Sequence, residues 1–105
     1  MSREPLPTRR PCETFNFTVG ERSLPYSATF GFYDDGRVGE VFIDGPKSGT
    51  DARTNAKDAA IVLSHALQNG VSLDALRHGI SRDDDGKALG PIGTALDLLS
   101  GGEGA

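Results

Sequence analysis

The sequence predicts an α+β domain: a three-stranded antiparallel β-meander covered by one long helix and two short ones. Three observations predict it. Apolar residues alternate with polar ones through the first third of the chain, turn residues divide that region into three runs, and helical spacing takes over from residue 51 onward. With 105 residues and 11.1 kDa the chain is long enough for a single core. Only 36% of residues are hydrophobic and Trp is absent, so that core is small.

The first run, Glu13 to Val19, places Phe15, Phe17 and Val19 on one face and Thr14, Asn16 and Thr18 on the other, which is the pattern of a half-buried strand. Gly20 to Ser23 turn the chain. Tyr26, Ala28, Phe30 and Phe32 repeat the two-residue period, Asp34-Asp35-Gly36 forms the next turn, and Val38 to Ile43 is the third strand. The long helix follows. Ala56, Ala59, Ala60, Leu63, Ala66 and Leu67 fall on its inward face, with Arg53, Lys57, Ser64 and Gln68 on another. Thr50 or Asp51 is its expected N-cap and Asn69-Gly70 its stop. Ser72 caps a short helix with Leu73, Leu76 and Ile80 inward, and Gly90-Pro91 opens a third carrying Ile92, Ala95, Leu96 and Leu99.

Charge is distributed unevenly. Residues 1–12 hold three Arg, one Glu and three Pro, a basic, proline-rich arm with little to bury. The whole chain carries −4, so the single domain expected over 13–99 is acidic and offers no broad electrostatic footprint for nucleic acid. Residues 100–105 are expected to form a flexible tail. The chain holds no apolar run of about 20 residues and no signal-peptide pattern at its N-terminus, so no membrane association and a cytoplasmic location are expected. The single cysteine, Cys12, excludes an internal disulfide and a zinc site built from paired thiolates.

Several strings together resemble the TSCPD domain, the small C-terminal domain of adenosylcobalamin-dependent ribonucleotide reductases, expected here as a free-standing small protein. They are Arg9-Arg10 with Glu13-Thr14-Phe15, then Tyr33-Asp34-Asp35-Gly36 with Gly39-Glu40-Val41-Phe42-Ile43, then Lys47-Ser48-Gly49-Thr50, and finally Ala66-Leu67-Gln68-Asn69-Gly70-Val71. The Ser-Cys-Pro-Asp string that names the family is replaced by Leu89-Gly90-Pro91-Ile92, so the thiol and carboxylate of relatives are missing. The resemblance implies an association with deoxyribonucleotide synthesis. Ribonucleotide reduction needs a thiyl radical and a reducing thiol pair, which one cysteine does not supply. The expected role is therefore a binding or regulatory module, not catalytic alone, whose expected partner is the large reductase subunit. Adenosylcobalamin enters only through that partner.

Cys12 is the weak catalytic candidate: beside Arg9 and Arg10 it could serve a thiol relay, against the simpler reading of an exposed cysteine on an arm. Arg9 and Arg10 are candidate partner contacts. Lys47, Ser48, Gly49 and Thr50, before the long helix, form a candidate site for an anion or nucleotide, although a capped sheet-to-helix connection explains them as well and the spacing is not that of a phosphate-binding loop. His65, His78 and Asp83-Asp84-Asp85-Gly86 lack the spacing of a metal site and read as surface, boundary and turn residues. The aromatic residues Phe15, Phe17, Phe30 and Phe32 could stack bases on an open sheet, but the acidic fold and the need to cover that face with the alanine-rich helix argue for core, and nucleic-acid binding is the third reading. Exposed sheet edges point to a homodimer.

Overall fold

A computed structural model describes residues 3–45 and 50–101. Three antiparallel strands run in the order β1 (Cys12–Val19), β2 (Leu24–Phe32), β3 (Val38–Asp44), followed by α1 (Asp51–Gln68), α2 (Leu73–Gly79) and α3 (Pro91–Leu99). The expected meander and its one long and two short helices are all present. Of the tail expected at 100–105, residues 102–105 lie outside the described residues; Ser100 caps α3.

The register pairs Phe15 with Ala28 and Ala28 with Ile43, so the apolar residues of all three strands share one face. Tyr26, Ala28, Phe30, Val41 and Ile43 on that face are buried with Ala56, Ala60, Leu63, Leu67, Ala95 and Leu96 from the helices. Phe15 meets Phe30 edge-on at 6.1 Å and Phe17 stacks on Tyr26 at 6.0 Å, placing these rings in or against the core rather than on an open base-binding surface. Phe15, Phe17 and Val19 are half-buried, because β1 lies at the margin of the helical cover.

Two details depart from simple periodicity. The register slips between Gly31 and Phe32, where Gly39 is the extra residue of a bulge. The bulge lets both Val38 and Val41 pack on the core while Glu40 points to the other side. On α1, Ala59 was expected inward and is exposed, whereas Gln68 was expected on the other, polar face and is buried. The reason is that α1 packs beside β3 as well as over the sheet. Ser64 Oγ accepts the Val41 N–H at 2.9 Å and donates to a carbonyl, and Gln68 Nε2 donates to Gly39 O at 3.0 Å. Backbone groups on the outer edge of β3 are thereby satisfied by the helix.

The caps follow local chemistry. Thr50 Oγ1 accepts the Arg53 N–H, Ser72 Oγ accepts the Ala75 N–H, and Pro91 occupies the first turn of α3. Asn69 caps the end of α1, followed by Gly70 at φ +94°.

The segment before β1 forms neither helix nor strand, yet it is bound to the body. Glu4 N–H donates to Gln68 O at 2.8 Å, Tyr33 Oη donates to Glu4 O at 2.6 Å, and the Arg3 guanidinium donates to the Gln68 side chain. Leu6 lies over Gly39, where a Cβ would come within 2.7 Å of it. Residues 3–11 thus form a strap across one end of the sheet.

Candidate functional site

The face of the sheet opposite the core is open, and β3 supplies its most unusual residues. Glu40 and Phe42 alternate on this side with Val41 and Ile43 on the other. Glu40 lies flat over Gly31: a Cβ there would meet its Oε2 at 2.1 Å. Its carboxylate is buried and receives two N–H groups from Arg10, the second at 3.1 Å. Such a forked contact is the stronger kind of ion pair. It raises the Arg10 pKa further above its ordinary value, chiefly through that hydrogen bond.

Phe42 sits two residues on and remains 57% exposed. Two adjoining grooves meet at Phe42 and Glu40. One, about 650 Å³, lies against the strap and is lined by Thr8, Arg9, Arg10, Pro11 and Cys12. The other, about 830 Å³, runs between β3 and α1, with Lys57, Ile61 and His65 on the helical wall and Ser27 and Thr29 on the sheet wall. Arg3 and Arg53 stand along it; Arg53 is held by Asp44 at 2.9 Å. That contact keeps the Asp44 carboxyl below the usual carboxylate range. Ile61 is as exposed as Phe42. The arrangement therefore presents an aromatic ring and an aliphatic side chain amid hydroxyls and charges of both signs, Glu40, Asp44 and Asp58 among the cations. It is a surface for recognition.

The sequence-predicted residues divide around this surface. Arg9 and Cys12 line the smaller groove and are exposed. Arg10 lines it too, but its guanidinium is turned onto Glu40 and Pro7 O rather than outward. Cys12 Sγ donates weakly to Arg10 O at 3.7 Å. Lys47, Ser48 and Gly49 lie outside the described residues; Thr50, the fourth member of that expected site, is the helix cap. His65 and His78 are exposed, and Asp83 closes its turn by accepting the Asp85 and Lys87 N–H groups. Among the described residues, no three His, Cys, Asp or Glu side chains gather in a way that could hold a metal ion. Among the described residues, no helix is long and apolar enough to cross a membrane.

Sequence reasoning missed Glu40, Phe42, Lys57 and Ile61 as a set. Phe42 carried a signal, since its parity is opposite to that of Val41 and Ile43. It also missed Asp97, 1% exposed in α3, which accepts from Arg77 at 3.0 Å and from both terminal nitrogens of Arg82 at 2.8 and 2.9 Å. This cluster ties α2 and the 82–88 turn to α3. It stands apart from the open face.

Comparison with known proteins places these features in a family. The model of the TSCPD domain matches residues 3–96, a span that includes the strap. The chain is 46% identical over 72 residues to the vitamin B12-dependent ribonucleotide reductase of Bradyrhizobium diazoefficiens, and 44% identical over 72 residues to that of Agrobacterium fabrum. Each match covers 69% of this chain and 6% of the relative, so the chain spans a small part of the curated relatives it matches. No solved structure matches. With a family match running from the strap into α3, over a sheet and helices in the order the sequence predicts, the chain belongs to the TSCPD domain family and is related to ribonucleotide reductases.

Proposed function

We propose that this domain is a docking module for a ribonucleotide reductase polypeptide, acting by binding and regulation in deoxyribonucleotide synthesis and not catalytic alone. The observation that carries the reading is the scale of the match: the similarity covers 6% of a reductase, so this chain corresponds to one small part of such a protein. The surface best suited to the contact is the open face around Phe42 and Ile61, apolar at its centre and ringed by Arg3, Arg9, Asp44, Lys57, Asp58 and His65. A nucleotide is a second candidate for the 47–50 segment. Adenosylcobalamin belongs with the partner in this reading. The domain acts in the cytoplasm, where the reductase substrates are.

The alternative is a thiol relay through Cys12, favoured by its exposure in the groove beside Arg9. Affinity capture from the native host separates the readings. Wild type is expected to recover a large reductase subunit, and Cys12→Ser to recover it equally with unchanged activity of the complex. Loss of that activity in Cys12→Ser with binding intact would favour the relay, and failure to recover a reductase would remove both.

A further inference from the structure

We propose that the cleft between α1 and the start of α3 binds a small molecule that carries one oxyanion, a carboxylate or a phosphoryl group, on an apolar body. Gly90 occupies the N-cap of α3 and brings no side chain, and Pro91 after it has no N–H. The next two N–H groups, of Ile92 and Gly93, are orphan donors of the helix start, and among the described residues neither meets an acceptor. Gly93 is buried, where an unpaired N–H is costly.

Tyr26 points independently to the same space. It is only 7% exposed, yet among the described residues no group bonds its hydroxyl. Among those residues no side-chain oxygen sealed from solvent lacks a partner, so this hydroxyl reaches open space. The ring lies on the core side of β2 with Ala28 and Phe30. On that side Tyr26 borders the cleft of about 490 Å³ that Gly90, Ile92 and Gly93 also line. The hydroxyl is thus a third donor toward the uncapped end of α3.

The walls set the chemistry of the ligand. Among the described residues no charged side chain lines the cleft, so an anion is held there by the helix dipole and by N–H and O–H donors rather than by an ion pair. Three donors suit one compact oxyanion better than a polyphosphate. Ala52, Ala56 and Ala59 keep the α1 wall low and Ile80 closes the opposite side, which leaves room for an apolar body. The exposure of Ala59 follows from this placement, since it faces the cleft rather than the core. The cleft shares no lining residue with the grooves at Phe42 and is independent of the reductase reading.

Amide chemical shifts followed by NMR during titration with hexanoate, hexyl phosphate, acetate and inorganic phosphate test the site. Hexanoate or hexyl phosphate is expected to move Ile92 and Gly93 saturably, and the tighter of the two identifies the oxyanion. Acetate and inorganic phosphate lack the apolar body and are expected to bind roughly tenfold more weakly. Tyr26→Phe, which removes only the hydroxyl, is expected to weaken binding roughly tenfold. Gly90→Asp sets a carboxylate where the ligand's oxyanion would sit. With φ at −125° and nothing within 4 Å of a Cβ there, the position accepts it without strain. This variant is expected to cap α3, raise the thermal midpoint and abolish binding. No saturable shift at Ile92 and Gly93 with any probe, or binding that Tyr26→Phe and Gly90→Asp both leave unchanged, overturns the proposal. Equal affinity for acetate and hexanoate overturns its apolar half.

Discussion

Glu40 is a carboxylate on the open side of a sheet that nonetheless has 7% exposure, because Gly31 gives it a floor and Arg10 a partner. Adding a methyl at Gly31 would displace the carboxylate and loosen the Arg10 pair. Gly31→Ala is accordingly expected to lower stability by about 1–3 kcal/mol and to speed amide hydrogen exchange at Glu4, measured by denaturation and exchange mass spectrometry. Asp97 makes the complementary case inside the helical layer. It sits at the centre of contacts with Arg77 and Arg82, whose side chains are about three-quarters buried. Asp97→Asn is expected to cost about 3 kcal/mol, as removal of one partner from a buried pair does. The Arg82 hydrogen bonds, followed by those of Arg77, hold the Asp97 carboxyl below its ordinary pKa despite burial. A depressed folded-state pKa stabilises the fold fully above the unfolded value, near 3.9. That contribution is lost as pH falls through the folded value. Urea midpoints measured from neutral to acidic pH are expected to fall at the acid end in wild type and to fall less in Asp97→Asn.

At the scale of elements, α1 both covers the core and closes an edge. Its alanines were legible as an inward stripe, since Ala56, Ala60, Leu63 and Leu67 recur at helical spacing and are all buried. Ser64 and Gln68 were not legible, because their partners are backbone groups of β3 more than 20 residues away. Gln68→Leu leaves Gly39 O buried without a donor and is expected to cost about 1–3 kcal/mol. Thermal denaturation would show it as a lower midpoint. The strands were legible from the alternation of Phe15 with Phe17 and of Tyr26 with Ala28 and Phe30, but the bulge at Gly39 was not, since it shifts phase inside an apolar run. The strap was the least legible element. Its prolines and arginines have no period, and what binds it, from Gln68 O to Tyr33 Oη, lies far along the chain. Of the candidate site, Cys12, Arg9 and Arg10 were found from sequence and share one groove, whereas Phe42 and Ile61 come together only through the packing of α1 beside β3.

The whole molecule is an acidic domain in which charges of both signs, Arg3, Arg9, Arg10, Arg53 and Lys57 with Glu40, Asp44 and Asp58, line the place where strap, β3 and α1 meet. Local clustering of this kind gives orientation to an encounter more than raw affinity. Its apolar centre would supply the affinity. The direct measurement is calorimetric titration of this domain into a B12-dependent reductase polypeptide from which the matching segment has been deleted. Saturable binding is expected, weakened at least tenfold by Phe42→Asp combined with Ile61→Asp while the fold is retained. Absence of binding by wild type, or binding that the double variant leaves untouched, would contradict the assignment of this face as the reductase contact.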